Sequence, residues 1–204
     1  LGHAYRSSYS VGSFSSNLDY KDENGDVQMN LNNMSYHSKY DITQVSINEQ
    51  FSPLFKLDMT WKNSLIARFE IKKSRMLSLS LSNNQLTETA SNEYVIGTGY
   101  RIKDVSFSFR SASRSKKLYS DLDLKVDLNI RNNRTVIRKV LEDVEQITAG
   151  QQIISIKFSA DYVISQRLNI KAFYDQVITN PFLSTTFPGS ITNAGFSIRF
   201  TLAG

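Results

Sequence analysis

Cysteine is absent from this 204-residue chain, which excludes disulfide bonds, thiolate metal sites and a cysteine nucleophile. No segment approaches the roughly 18 consecutive apolar residues that a transmembrane helix needs, so a helical membrane protein is excluded as well. Acidic and basic residues are interspersed and sum to a formal charge of +5. Because they form no concentrated basic arm, the charge pattern predicts no nucleic-acid partner.

Patterns typical of catalysis or metal binding are also scarce. His3 and His37 are the only histidines, and neither has companion ligands at a metal-binding spacing. Residues 97–99 resemble half of a phosphate-binding loop, but the strand pattern on both sides favours a glycine that accommodates strand curvature. The acidic segment 142–145 is more typical of a solvated loop than of a calcium site. No serine has a recognisable nucleophile setting, so the sequence predicts neither an enzyme nor a cofactor.

The pattern that is present is a regular alternation of apolar and polar residues. It is clearest from Gln152 to Ile164, and it recurs at 121–131 and 193–202. Successive side chains of a strand point to opposite faces, so each run has one apolar face and one polar face. One such strand could belong to a soluble sandwich, but a series of long ones predicts a membrane barrel with lipid outside and water inside.

The predicted fold is therefore all-β: an antiparallel transmembrane β-barrel segment of about ten strands, with residues 1–204 as one structural unit. The predicted strands are 5–18, 42–51, 54–62, 64–82, 92–109, 119–131, 134–141, 151–164, 168–179 and 190–202. The predicted long loops are 19–39, 110–117, 142–150 and 180–190, and the predicted short turns are Phe51–Leu54, Arg131–Arg134 and Ser165–Arg167. If the last strand ends in the periplasm, the loops 19–39, 142–150 and 180–190 lie outside the cell, as barrel loops of that length do.

The alternation leaves the hairpin position undecided in the middle of the chain and changes parity once there. The hairpin after Trp61 could lie at 62–64 or at 72–75. Lys73 and Arg75 share the parity of the apolar residues before them, so we expect them at a membrane interface or in a turn. Around Lys103 and Asp104 the parity flips, which predicts a bulge or a bend.

The alternation assigns a face to each side chain of the predicted wall. The lipid-facing residues are predicted to be Leu122, Leu124, Val126, Leu128, Ile130, Ile154, Ile156, Phe158, Tyr162, Leu168, Ile170, Phe196, Ile198 and Phe200. The lumen-facing residues are predicted to be Asp123, Lys125, Asp127, Lys157, Asp161, Lys171, Asp175 and Arg199. Their mixed signs suit any wet interior, whereas a selective ion channel favours a ring of one sign. A charge at Phe158 should impair membrane assembly, while a charge reversal at Lys157 should be tolerated.

The start of the chain favours a piece of a longer protein. No signal peptide is visible in the sequence, and the segment Gly2–Ser16 already has a strand pattern. That first strand has a weak lipid face, because Phe14 lies on the opposite parity from Tyr5 and Tyr9. Such a strand fits one arc of a large wall better than the seam of a small closed barrel.

Seven segments carry a more specific resemblance: Phe51–Leu54, Leu57–Asn63, Arg68–Arg75, Leu79–Glu88, Ser91–Arg101, Asp143–Gln151 and Phe196–Leu202. They resemble the C-terminal part of the SprA family, called Sov in some members. The resemblance implies the outer-membrane translocon of the type 9 secretion system in a Gram-negative bacterium, which also supports gliding motility. It implies a very large barrel, in the size class of the largest known, about 36 strands.

The same resemblance implies the partners. Folded cargo with a C-terminal sorting domain would cross the barrel, a PorV-type small barrel would cover a lateral gap, and a plug protein would close the periplasmic side. Outer-membrane lipid and the remainder of the parent barrel would surround this segment. The last strand also fits a barrel-assembly signal, filled by Asn193, Gly195, Ile198 and Phe200, although the usual final aromatic residue is absent.

Two alternatives stay open. One is a small autonomous porin-like channel, which a signal peptide immediately before Leu1 would favour. The other is a soluble β-sandwich that binds ligands at the cell surface, which folding without detergent would favour.

Overall fold

Most of the described residues lie in β-strands, so the predicted all-β class is confirmed. The computed structural model describes residues 1–21, 24–30, 32, 34–111, 114–165, 168–183 and 186–200. Its strands are β1 (Tyr5–Ser16), β2 (Met29–Asn30), β3 (Ser35–Tyr36), β4 (Tyr40–Thr60), β5 (Leu65–Ser80), β6 (Gln85–Ser111), β7 (Arg114–Lys139), β8 (Val144–Ser165), β9 (Leu168–Pro181) and β10 (Gly189–Phe200). A 3-10 helix spans Leu18–Tyr20. No helix within these residues is long and apolar enough to cross a membrane.

Eight strands form one antiparallel sheet in the order β1-β4-β5-β6-β7-β8-β9-β10. Each strand pairs with its neighbour along the chain, and the small β2–β3 hairpin lies in the long connection between β1 and β4. β1 and β10 occupy the two edges, so the described sheet is open rather than closed. Strands this long and this regular follow from the period-two pattern of the sequence.

The main sheet has eight strands and not about ten, because two predicted turns lie inside continuous strands. At Phe51–Leu54, β4 continues through a bulge at a cis Ser52–Pro53 bond. The backbone of Gly2 holds Lys56 on the far side of that bulge, since the N–H of each bonds to the carbonyl oxygen of the other at 2.9 and 3.0 Å. A proline in a strand is tolerated at such a bulge, where its missing N–H removes no regular ladder bond.

The second predicted turn, Arg131–Arg134, lies within β7. Asn132 suggests a turn by its residue type, but here it pairs with Asn92 on one side and Gln152 on the other. Tertiary pairing on both edges therefore overrides the local preference. The loop predicted at 110–117 was also wrong, because β6 and β7 pair as far as Ser111 and Arg114 and only residues 112–113, outside the described residues, lie between them.

The remaining boundaries largely follow the sequence. The hairpin after β4 uses residues 61–64, so Lys73 and Arg75 lie inside β5 and not in a turn. The parity flip is confirmed, because the β6–β7 register shifts between Ile102 and Val105, with Asp104 at φ 55°. Val144 opens β8, so the loop predicted at 142–150 is shorter than expected. The turn predicted at Ser165–Arg167 includes residues 166–167, and the strand predicted at 190–202 includes 201–202, which lie outside the described residues.

The connections divide between the two ends of the sheet. One end, which we call the loop end, carries the connection 17–39, the tight connections 81–84 and 140–143, and the segment between Pro181 and Gly189. The opposite end carries 61–64 and the joints after Ser111 and Ser165. Removing the two turns moves the connections between them to the other end but restores the side of the long connection, which still shares an end with 180–190. This unequal distribution is typical of outer-membrane barrels.

The sheet has a single layer and almost no core. Among apolar residues only Val136 and Tyr162 are buried in the described structure, at 4% and 7% exposure. The chain exposes 15008 Å². A compact soluble monomer of this length would expose roughly 9,700 Å². A sandwich needs a second sheet packed face to face on the first, and the described residues provide none.

Candidate functional site

The strand register groups the predicted faces across the sheet. Residues that lie directly opposite in an antiparallel pair have their side chains on the same face. Leu124 pairs with Ala160, Ala160 with Ala172, and Ala172 with Phe196, which joins four strands in one row. The rows above and below place all the predicted lipid-facing residues on this face, which we call face A.

The predicted lumen-facing residues share the opposite face, which we call face B. Asp127 pairs with Lys157 and Lys157 with Asp175, so opposite charges alternate across three strands. Lys171 approaches Asp161 at 3.9 Å from the next strand. The remaining members are Asp123 and Lys125 on β7 and Arg199 on β10. The structure therefore brings both predicted sets together, each on its own side of the sheet.

Face A is uncovered by any other part of the described chain. Phe158 and Val126 in mid-sheet are 38% and 39% exposed, which is high for apolar side chains flanked by strands on both sides. At the edge strand β10, Phe196 is 83% exposed and Phe200 61%. A contiguous apolar surface of this size marks a contact with another molecule or with lipid.

Tyr162 is the least exposed of the residues predicted to face lipid. It lies on face A, opposite Leu122 and Ile170, but only 7% of it is exposed. Its hydroxyl donates to the carbonyl oxygen of Val105 at 2.9 Å, next to the bulge of β6. Tyr162 therefore lies on the predicted face but covers the bulge instead of projecting outward.

Face B carries an ion-pair network that the predicted site did not include. Lys56 and Asp58 on β4 meet Arg68 on β5, with Lys56 Nζ 3.1 Å and Arg68 Nε 3.9 Å from the Asp58 carboxylate. Arg68 also pairs with Glu70, which is buried at 5% exposure. Lys72 continues the network 3.8 Å from Glu70. The charges of this wall are thus largely neutralised within the sheet.

The network continues onto β6 and β7. Lys72 Nζ lies 3.5 Å from Glu93, and Asn129 donates to the same carboxylate at 2.7 Å. Arg101 makes a two-point contact with Asp123, through Nε at 2.6 Å and Nη2 at 3.0 Å. The period-two pattern of β5 and β6 could have assigned these side chains to face B. Their ion-pair partners depend on the register between strands, which the sequence of one strand does not indicate.

Face A changes from apolar to polar partway along the strands. On face A one row reads Ile71, Tyr94, Ile130, Ile154 and Ile178. The next row toward the loop end reads Lys73, Asn92, Asn132, Gln152 and Asn180, and we call it the boundary row. The continuous apolar rows are interrupted along this line on all five strands, and apolar side chains such as Leu77 and Val136 recur on face A further toward the loop end.

Beyond the boundary row, face A carries ion pairs. Arg75 Nε donates to Glu49 at 3.1 Å, and Arg138 Nε donates to Glu145 at 3.1 Å. Arg138 also donates to Glu88. Face B is rich in hydroxyl groups at the same level, as in Ser91 opposite Asn133, which bond at 2.7 Å. Charged and hydroxyl groups thus occur on both faces immediately beyond the boundary row.

The predicted assembly signal lies on the edge strand β10. Ile198 and Phe200 lie on face A, and Asn193 lies on face B opposite Asp175. Gly195 lies against the ring of Phe173, where an added β-carbon would approach the ring at 3.1 Å. The signal therefore combines an exposed apolar edge with a position where glycine permits close packing.

Comparison with known proteins finds no matching family model and no matching curated protein.

Proposed function

We propose that the chain is the C-terminal arc of a protein-conducting outer-membrane barrel, the translocon of the type 9 secretion system that its sequence resembles. One observation carries the proposal: a single-layer sheet whose face A is apolar and uncovered while face B is charged. Hydrocarbon would cover face A, and water would fill the space along face B. Because lipid cannot bond to an exposed strand edge, further strands of a parent barrel would pair with β1 and β10.

The character of face B supports passage of large polar cargo. Its acids and bases are paired across strands, as in Arg101 with Asp123, so the wall has no ring of one sign that would select small ions. A wet and nearly neutral wall around a wide bore would let folded proteins with C-terminal sorting domains pass. In this proposal the PorV-type barrel and the plug protein supply closure, and the segment itself performs no covalent chemistry.

Cysteine labelling tests the membrane assignment directly, since the chain contains no cysteine. Val126→Cys and Lys125→Cys place a thiol on neighbouring residues of opposite faces. A water-soluble maleimide applied to isolated outer membranes should label Lys125→Cys and spare Val126→Cys. Equal labelling of both thiols would contradict the proposal.

The autonomous porin differs in how the sheet closes. A small closed barrel would pair β1 with β10. Pairs of cysteines, starting with Tyr9→Cys and Ala194→Cys and then moved along the two strands, would therefore form a disulfide within one chain at some register. An arc of a larger barrel would give no such crosslink at any register. Deletion of the gene tests the secretion role separately. The deletion should abolish both the display of folded cargo at the cell surface and colony spreading.

A further inference from the structure

Three cationic side chains of face A lie around one small residue, immediately beyond the apolar rows. Arg75 and Arg134 both pair with Ala90, one from each neighbouring strand. Lys73 lies two residues before Arg75 on the same face, opposite Asn92. We call Lys73, Arg75 and Arg134 the basic cluster.

The geometry leaves room for an anion at the centre of the basic cluster. Strands lie about 4.8 Å apart, so the backbones at Arg75 and Arg134 are roughly 10 Å apart, with Ala90 midway. The alanine methyl group fills little of that space. Two arginine side chains extending from either side can therefore approach a single phosphate above Ala90.

The acids near the basic cluster do not saturate its donors. Arg75 bonds to Glu49 through Nε at 3.1 Å, and Arg134 reaches Glu145 only at 3.4 Å. The side chains of Arg75 and Arg134 remain 44% and 49% exposed. Within the part of the chain that the structure describes, Lys73 forms no ion pair. The cluster therefore keeps planar guanidinium donors and an ammonium group for an external anion.

The position of the basic cluster points to the source of that anion. Lys73 belongs to the boundary row, directly beyond Ile71, and Arg75 and Arg134 lie one row further toward the loop end. If face A contacts hydrocarbon below this line, the cluster lies at the depth of lipid headgroups. The loop end is the external end, so these are headgroups of the outer leaflet.

We propose that the basic cluster binds the phosphate groups of a phosphorylated glycolipid in the outer leaflet, with Asn92 bonding to its sugar. The inference rests on the proposed function, because it requires face A to contact lipid. Charge complementarity supplies the attraction, and the adjacent apolar rows accommodate the acyl chains. The glycolipid would then be bound at a fixed position on the lipid-facing side of the wall.

Binding of diphosphoryl lipid A to the complete protein in mild detergent, measured by native mass spectrometry, tests this inference. The double variant Lys73→Gln/Arg134→Gln should bind it about ten-fold more weakly or worse. Lys125→Gln/Arg199→Gln removes the same charge from face B and should bind as the unmodified protein does. If the double variant does not assemble, Lys73→Gln alone provides the test, because that side chain makes no described ion pair.

Three results would overturn the inference: equal binding by both double variants, equal binding of a phosphate-free lipid A, or equally tight binding of inorganic phosphate. The last would indicate a site for free anions. The labelling of Val126→Cys separates this inference from the proposed function. A protected Val126→Cys together with unaffected lipid binding would overturn only the glycolipid site.

Discussion

The hydroxyl of Tyr162 on β8 donates a hydrogen bond to the carbonyl oxygen of Val105 on β6, two strands away, at 2.9 Å. The bond crosses β7 at the point where the β6–β7 register shifts between Ile102 and Val105. A bulge disrupts the local ladder, and a polar side chain that reaches over the intervening strand can satisfy one of the released groups. Tyr162 thereby holds three strands in a fixed arrangement.

Tyr162→Phe should lower the local stability of these strands by about 1 kcal/mol, because the ring stays in place while a part-buried hydrogen bond is lost. Amide hydrogen exchange of β6 and β8 in the complete protein measures this change. Tyr174→Phe is the control, since Tyr174 is 38% exposed and its hydroxyl bonds only to Gln176 at 3.2 Å. Identical exchange in both variants would show that the Tyr162 bond contributes nothing.

Gly150→Ala should destabilise the β7–β8 pairing. An added β-carbon there would lie 2.7 Å from the ring of Phe182 and 3.1 Å from the backbone oxygen of Asn133. The ring can move but the backbone cannot, so we expect a loss of about 1–3 kcal/mol in hydrogen exchange of β8.

Gly99→Ala provides the matched comparison for this overpacking. Its nearest neighbour atom would be 3.6 Å away, an ordinary contact distance. It should therefore leave exchange unchanged or slow it slightly. A larger loss at Gly99 than at Gly150 would contradict the packing described for both positions.

The third prediction concerns Glu70, the buried acid of face B. It lies between Arg68 and Lys72 on one strand and pairs with both. Glu70→Gln keeps the shape but leaves two cations facing each other, so a loss of about 1–3 kcal/mol is expected in hydrogen exchange of β5. Glu88→Gln removes a more exposed acid and should cost at most about 1 kcal/mol. The reverse order would contradict the importance assigned to burial.

The alternation of the sequence was sufficient to predict the faces, because side-chain direction in a strand depends only on parity. It assigned Leu124 and Phe158 to one side and Lys125 and Lys157 to the other, as the register shows. Where parity changed, at Asp104, the pattern also indicated the bulge. These features are local, so one strand at a time is enough to predict them.

Features that depend on neighbouring strands were not predictable in this way. Asn132 has the composition of a turn residue, and only its pairing with Asn92 and Gln152 shows that the strand continues. The contact of Arg101 with Asp123 likewise follows from the β6–β7 register. Register is set by many contacts across two strands, and a single sequence contains no direct signal for it.

The register also changes the expectation for Lys157. From sequence alone a charge reversal there should be tolerated. Lys157 lies between Asp127 and Asp175, however, and like charges directly opposite each other destabilise a strand pair. Lys157→Gln is therefore the neutral comparison, whereas Lys157→Glu would place three acids in one row.

Phe158→Arg is the decisive variant for the assignment of face A. Phe158 lies in mid-strand between Val126 and Tyr174, and its neighbour Lys157 points to the opposite face. An arginine facing the middle of a bilayer costs about 2–4 kcal/mol, so the variant should assemble poorly into the outer membrane. Quantifying the membrane-inserted protein in cells that produce Phe158→Arg or Lys157→Gln measures the difference. If both variants insert equally well, face A does not contact hydrocarbon. An arginine at position 158 carries the cost of burial in lipid only if that face lies in the bilayer.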